Sequence, residues 1–202
     1  MSLTLMVEVF VTLFVIMDPV GTVPVFLSLT AGRTHDTIKR AAWQAVLVSF
    51  VVIVVFAVFG RGILDYLGIT LPAMQASGGL LLLLVALELL TGDDDEQSLA
   101  QGKAKNVALV PLGTPLLAGP GAIVATMLFV HDIDGVGDGL AVALGIVLVH
   151  LALWLSMRFS LPLQRLLKES GIMLVTRIAG LLLAAIAVQM VADAVRAFIA
   201  AG

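Results

Sequence analysis

The most regular feature of the sequence is a series of long apolar stretches separated by short polar ones. Residues 41–60, 66–87 and 107–130 contain no Asp, Glu, Lys, Arg or His. Each stretch is long enough to cross a hydrocarbon core of about 30 Å, which requires roughly 20 helical residues. The stretches are continuously apolar and do not alternate with polar residues, which favours transmembrane helices over barrel strands. The pattern therefore predicts an integral membrane protein.

We predict an all-α, polytopic membrane protein with six transmembrane helices. The predicted spans are residues 3–30, 41–61, 70–91, 107–130, 139–158 and 172–199. Residues 92–106 form a polar linker between the third and fourth spans, and residues 158–171 have the apolar spacing of a short interfacial helix. Residues 1–202 are treated as a single membrane domain.

The composition supports a membrane protein. Hydrophobic residues make up 60% of the chain and charged residues only 12%, whereas a soluble domain is about half apolar and a quarter charged. The absence of cysteine excludes disulfides and thiolate chemistry. The N-terminus lacks the basic region and cleavage site of a secretory signal, so we expect the first apolar stretch to remain in the protein.

The distribution of lysine and arginine predicts the orientation of the chain, because basic loops remain in the cytoplasm. Two of the eleven basic residues, Arg61 and Arg196, fall on one side of the membrane. The other nine fall on the opposite side: Arg33, Lys39, Arg40, Lys103, Lys105, Arg158, Arg165, Lys168 and Arg177. We therefore expect a multi-pass protein of the cytoplasmic (inner) membrane with both termini on the non-cytoplasmic side.

Two segments with the same Pro-x4-Pro spacing interrupt the first and fourth spans. The first follows Asp18 and the second follows Thr114. The third and sixth spans also begin alike, with small residues followed by a leucine-rich run. Because each copy holds three spans, an odd number, the second copy must enter the membrane from the opposite side. The sequence thus predicts two inverted three-helix repeats, residues 1–91 and 107–202, an architecture that recurs in secondary transporters.

The two interruptions are the predicted substrate-binding site. Proline lacks an amide N–H and glycine lowers helical preference, so both helices should be broken there. The unpaired backbone groups must then be buried in protein or line a wet cavity, and a helix start offers amides to a carboxylate. The predicted binding residues are Asp18, Pro19, Gly21, Thr22, Pro24, Thr114, Pro115, Gly119, Pro120 and Gly121. The alternative is a pair of kinks that only shape the bundle.

Three ionisable residues within or near the spans are candidates for coupling or gating. Asp18 lies near the middle of a span, where a carboxylate is costly and marks a functional site. It either binds a cation, proton or substrate ammonium, or caps backbone amides. His150 is either a proton relay or an interhelical hydrogen-bond partner, and Arg177 either acts in gating or extends towards the interface.

The remaining motifs point away from other classes of protein. The acidic run at residues 93–96 lacks the ligand spacing of a calcium loop. There is no nucleotide-binding loop, zinc-protease helix or nucleophile elbow. We therefore expect no enzymatic activity, no metal, no cofactor and no nucleic acid partner.

These motifs resemble those of the MarC family of bacterial and archaeal membrane proteins. The resemblance lies in DPVGTVPVFLSLT at 18–30, in SGGLLLL from residue 77, in PLGTPLLAGPGAI at 111–123 and in TRIAGLLLAAIAVQM at 176–190. It covers essentially the whole chain and implies six spans. It also implies transport, since some members are described as transporters of small neutral amino acids such as glycine and alanine.

Carried over to this chain, the resemblance marks Asp18, Pro19, Gly21, Pro24, Pro115, Gly119, Pro120, Gly121, Arg177 and Gly180. The chain departs from the family pattern at Thr22, where the family often has Asn, and at Gln75, where it often has Arg. Gln75 is the repeat partner of Arg177 and joins the gating candidates. Asp18 is replaced by Asn in some relatives, which argues against an obligatory carboxylate proton carrier.

The sequence as a whole predicts a secondary transporter of small, zwitterionic neutral amino acids that works by alternating access in a lipid bilayer. The alternatives are an exporter of other small polar metabolites and a membrane scaffold or sensor that transports nothing. The sequence leaves open whether a proton or sodium gradient drives transport and whether the chain forms a homo-oligomer.

Overall fold

A computed structural model describes residues 3–30, 32–91 and 117–201, and these residues are almost entirely helical, without a strand. The helices are α1 (Leu3–Met17), α2 (Thr22–Leu29), α3 (His35–Leu67), α4 (Leu71–Thr91), α5 (Pro120–His131), α6 (Val136–Arg158) and α7 (Ser160–Ala201). Four of them, α3, α4, α6 and α7, are long and apolar enough to cross a membrane, and α1 and α5 are shorter apolar helices.

The outer surface of the helices is apolar, as a lipid-facing surface requires. Val51 on α3, Leu84 on α4 and Leu182 on α7 are each at least half exposed. Exposed apolar residues on this scale are unusual for a soluble monomer. Together with the four long apolar helices, they identify an integral membrane protein.

Most predicted spans coincide with helices. The span predicted at 70–91 is α4, and the span predicted at 139–158 is α6. The span predicted at 41–61 lies within α3, which is longer than the prediction and continues to Leu67. It ends where Gly68 adopts a left-handed conformation (φ 66°) that closes the helix with hydrogen bonds from its last turn. Residues 92–116, which include the linker and the start of the fourth span, lie outside the described residues.

The last helix contains a break that the sequence suggested only indirectly. Lys168 has a φ of 55° and a ψ of 178°, which divides α7 into a short segment and a long apolar helix. The short segment, residues 160–167, lies within the range 158–171 that was predicted as an interfacial helix. Its helicity is therefore confirmed, while its position at the membrane surface stays a prediction.

Helices α4 and α7 pack closely and run antiparallel, with glycines at their contact. A Cβ at Gly79 would lie 2.8 Å from the Ala187 carbonyl oxygen, and one at Gly180 would lie 3.0 Å from Leu89 Cβ. Small residues allow helix backbones to approach this closely in membranes. The contact at Gly79 lies ten residues before that at Leu89, whereas the partner residues run in the reverse order.

One large apolar core lies between α1, α3, α5 and α6. Its buried members include Leu13 and Met17 from α1, Ala118 and Ala122 around the start of α5, and Val149 from α6. Gly145 of α6 lets Val9 of α1 approach, since a Cβ there would be 2.7 Å from Val9 Cγ1. This core brings the end of α1 and the beginning of α5 into the same layer of the protein.

Candidate functional site

The first span is interrupted between α1 and α2, as the sequence predicts. Helix α1 ends at Met17 and α2 begins at Thr22. Asp18 is in the left-handed region with a φ of 37°, a conformation that costs a non-glycine residue about 1–2 kcal/mol and that aspartate tolerates better than most. The break is thus a defined turn with a carboxylate at its first position.

The Asp18 turn satisfies its own backbone amides. Gly21 N–H donates to Asp18 Oδ1 at 3.0 Å, and Thr22 N–H donates to the Asp18 carbonyl at 3.1 Å. Val23 N–H donates to the Val20 carbonyl at 3.1 Å, and Pro24 has no N–H. The Thr22 hydroxyl donates to the Pro19 carbonyl at 3.0 Å. The capping role considered for Asp18 is therefore present, and none of residues 21–24 has a free amide for a substrate carboxylate.

The second carboxylate oxygen of Asp18 is buried and underused. Asp18 is 8% exposed, and its Oδ2 makes no hydrogen bond to the described residues by distance and angle. The nearest approach of a polar side chain comes from α7, where the Thr176 hydroxyl lies beside the carboxylate. Burying a carboxylate oxygen without a full hydrogen-bond partner costs free energy. This atom is therefore the strongest indication of a binding site among the described residues.

Gly21 makes this arrangement sterically feasible. A Cβ at Gly21 would overlap Asp18 Oδ2 and would lie 3.0 Å from Thr176 Oγ1. Both oxygens therefore lie on the side of Gly21 from which a side chain would project. Any larger residue at position 21 would displace the carboxylate.

The end of α1 adds carbonyl oxygens to the same region. The Val15 carbonyl lacks its helical donor because residue 19 is proline, and the Met17 carbonyl lacks its donor because Gly21 N–H binds Asp18 instead. The C-terminal end of a helix carries a partial negative charge. Together with Asp18 Oδ2, this end of α1 attracts a cation or an ammonium group.

The start of α5 has the opposite character. Gly119 is the N-cap and Pro120 occupies the first turn, but glycine supplies no side-chain cap. Ile123 N–H donates to the Gly119 carbonyl at 3.2 Å, whereas the amides of Gly121 and Ala122 have no hydrogen-bond acceptor among the described residues. Both residues are buried. This helix start therefore offers two N–H donors and a partial positive charge to an anion.

The two breaks border the same apolar core. Met17, Ala118 and Ala122 all belong to it, and Gly121 packs directly on Leu82 of α4. Thr114 and Pro115, the first residues of the second predicted break, lie outside the described residues. The first of the two predicted segments therefore lies wholly within the described residues, and the second is described only from residue 117.

Of the candidates for coupling or gating, Asp18 forms this site, whereas no described contact joins His150, Arg177 or Gln75 to it. His150 is buried and accepts from or donates to Ser49 Oγ at 3.3 Å, while its Nδ1 lies 2.7 Å from the Ile146 carbonyl. Because that carbonyl accepts only, Nδ1 carries the proton in the neutral ring, and Ser49 donates to Nε2. His150 thus links α6 to α3, as the interhelical alternative predicted.

Arg177 and Gln75 are less constrained. Arg177 is exposed and forms no ion pair with the described residues, and Gln75 is half-buried without a described hydrogen bond. Their gating roles stay predictions. The contact of Thr176, the residue before Arg177, with the Asp18 turn was not predicted from the sequence. Its only signal was its place at the head of the TRIAG motif.

Two connected cavities occur at the turn between α3 and α4, away from the Asp18 turn. The inner cavity, of about 160 Å³, is lined by Phe56, Met127 and Val130, and the outer one, of about 390 Å³, includes Asp65 and Thr70. Arg61, Leu64, Leu71 and His131 line both. None of the predicted binding residues lines either cavity.

Comparison with known proteins relates the whole chain to one group. Residues 3–199 match the family described as MarC family integral membrane protein. A UPF0056 membrane protein of Methanocaldococcus jannaschii is 35% identical over 201 residues, which cover 97% of this chain and 98% of the relative. The UPF0056 membrane protein YvbG of Bacillus subtilis is 33% identical over 199 residues, covering 95% and 94%. No solved structure matches the chain with significance.

Proposed function

We propose that this chain, which belongs to the MarC family of integral membrane proteins, is a secondary transporter of small neutral amino acids such as glycine and alanine. The observation that carries the proposal is the Asp18 turn, where the first helix is interrupted by a buried carboxylate whose Oδ2 has only the Thr176 hydroxyl beside it among the described side chains. Ionisable groups within a membrane are retained where they bind a substrate or an ion.

A zwitterion fits the two breaks because they carry opposite charge character. Its ammonium group is assigned to Asp18 Oδ2 and the carbonyl end of α1, and its carboxylate to the Gly121 and Ala122 amides at the start of α5. The sequence also allowed the carboxylate to bind the amides of residues 21–24. That alternative is abandoned, because Gly21, Thr22 and Val23 N–H already have acceptors and Pro24 has none.

The transport cycle proposed here is alternating access by two inverted three-helix repeats, residues 1–91 and 107–202. The antiparallel contact of α4 with α7 supports it, because these helices correspond to the predicted third spans of the two repeats and meet through Gly79 and Gly180. The proposal places the protein in the cytoplasmic membrane with both termini outside the cytoplasm. A bundle of this kind can rock one half against the other around a central site.

Transport by the purified protein in liposomes tests this function. Labelled glycine or alanine should be taken up saturably and should exchange with unlabelled substrate inside the vesicles. Glycinamide keeps the ammonium group and lacks the carboxylate, so it should compete at least about tenfold more weakly than glycine, since hydrogen bonds to a charged group contribute about 1.5–3 kcal/mol.

Two outcomes of that experiment would count against the proposal. Folded protein that transports no member of a neutral amino acid panel would exclude the function. Equal competition by glycine and glycinamide would exclude the assignment of the carboxylate to the start of α5 while leaving amino acid transport in place.

A further inference from the structure

We propose that Thr176 is a specificity-determining residue, which together with Asp18 recognises the primary ammonium group of the substrate. The inference rests on the proposed transport function and extends it to a residue from the other half of the chain. It is drawn from the contact between Thr176 of α7 and the turn between α1 and α2.

The geometry brings two oxygens to one place. Thr176 Oγ1 and Asp18 Oδ2 both lie where a side chain of Gly21 would project, so nothing at position 21 separates them. The other carboxylate oxygen, Oδ1, is fixed by Gly21 N–H at 3.0 Å, which holds the carboxylate in orientation. Oδ2 is left without a complete hydrogen bond in a residue that is 8% exposed. The buried Asp18 carboxylate and the half-buried Thr176 hydroxyl thus form a small group of acceptors.

The chemistry of these acceptors suits three N–H donors. A carboxylate oxygen only accepts hydrogen bonds, and the Thr176 hydroxyl can accept through its lone pairs while it donates its own proton towards the Asp18 carboxylate. The Val15 and Met17 carbonyls, which lack helical donors, supply further acceptors close in sequence to Asp18. A primary ammonium has a donor for each of three acceptors, whereas an N-methylated amine has one fewer. The site therefore discriminates by the number of N–H groups.

The sequence repeat explains why this arrangement occurs once. Aligning Gln75 with Arg177 places Met74 in the first repeat where Thr176 stands in the second, and aligning Gly79 with Gly180 places Gln75 there, so neither alignment supplies a hydroxyl. A methionine thioether is only a weak acceptor. Asp18 likewise corresponds to Thr114. The carboxylate and its hydroxyl neighbour are thus specific to one of the two breaks, which gives the site a fixed polarity for a zwitterion.

The test is the discrimination between glycine and its N-methyl derivative sarcosine in liposomes. Thr176→Val removes the hydroxyl at nearly constant volume, and we expect it to raise the KM for glycine about tenfold while the KM for sarcosine changes less than about threefold. Thr176→Ser keeps the hydroxyl and should keep the wild-type ratio of the two KM values. Thr91→Val is the matched control, because that hydroxyl is exposed and donates only to the Leu87 carbonyl of its own helix.

The outcomes separate this inference from the function beneath it. If the wild-type protein transports no amino acid, the proposed function fails. If it transports glycine and Thr176→Val shifts glycine and sarcosine by the same factor, or shifts neither, the role of Thr176 is refuted and the function stands. Should Thr176→Val not fold, Thr176→Ala is judged by the same criterion.

Discussion

The two broken segments share one sequence pattern and differ in what their backbones leave available. At the first, the side chain and carbonyl of Asp18 accept hydrogen bonds from the amides of Gly21 and Thr22, and Asp18 Oδ2 is left without a full hydrogen-bond partner among the described residues. At the second, the cap is a glycine without a side chain, and the buried amides of Gly121 and Ala122 have no hydrogen-bond acceptor among the described residues. Among the described residues, the same proline spacing therefore leaves a hydrogen-bond acceptor available at the first segment and two donors available at the second.

The lesson is that the prolines determine where a helix breaks, while the residues around them determine the charge of the break. A side chain that caps amides converts a helix start into an electronegative site, since it consumes the donors and adds acceptors. A glycine at the cap leaves the helix start electropositive. This difference between the breaks can be tested by changing one at a time.

The largest effect is expected from Gly21→Ala. The new Cβ would overlap Asp18 Oδ2, so the carboxylate must move and its bond to the amide of residue 21 must distort. We expect glycine uptake to fall below about a tenth of wild type and the protein to lose about 1–3 kcal/mol of stability, as overpacked sites do. Uptake in liposomes and the melting temperature in detergent measure the two effects.

The control for that variant is Gly62→Ala. Gly62 lies within α3, and a Cβ there meets nothing within 4 Å. Alanine should be neutral or slightly stabilising at this helical position. If Gly21→Ala behaved like Gly62→Ala, the close packing of the Asp18 carboxylate against Gly21 would be refuted.

Asp18→Asn should have the next largest effect, and it separates function from stability. It removes the charge while nearly preserving shape, so we expect kcat/KM for glycine to fall about tenfold or more, as for loss of a charged hydrogen-bond partner. Stability should stay the same or rise, because a buried and incompletely paired charge is removed.

The exposed Asp65→Asn is the matched control for the charge change, since its position lies at the end of α3 away from the break. Undiminished glycine transport by Asp18→Asn would show that the polar character of residue 18 suffices without its charge. The comparison of a negative first break with a positive second break would then lose its basis.

The sequence predicted much of the fold because a membrane span appears in the sequence as a long, continuous run of apolar residues. The break at Asp18 and the start of α5 at Pro120 follow from proline and glycine, and the end of α3 follows from Gly68. The membership of the chain in its family was also predicted correctly from the four motifs.

The contact between Asp18 and Thr176 could not be predicted in this way. The two residues lie far apart in the chain, and their meeting depends on how α7 packs against the turn before α2, which no local periodicity encodes. The hydrogen bonds of the amides at the start of α2 could not be predicted either, because the sequence shows that Asp18 can cap a helix but not which amides donate to it. The break at Lys168 within α7 could not be predicted either, because its positive φ occurs at a lysine and not at a glycine.

The smallest expected effect compares two threonines at matched places, each six residues after the second proline of its segment. The Thr30 hydroxyl donates to the Phe26 carbonyl at 2.7 Å, whereas the fully buried Thr126 hydroxyl has no partner among the described residues. Thr30→Val should therefore cost about 0.5–1.5 kcal/mol, and Thr126→Val should be neutral or stabilising by up to about 1 kcal/mol. Melting temperatures of the two variants in one detergent should shift in opposite directions or differ clearly in size. Equal losses would mean that Thr126 is satisfied by another group, and the asymmetry between the two segments would then stop at their breaks and not extend into the helices that follow.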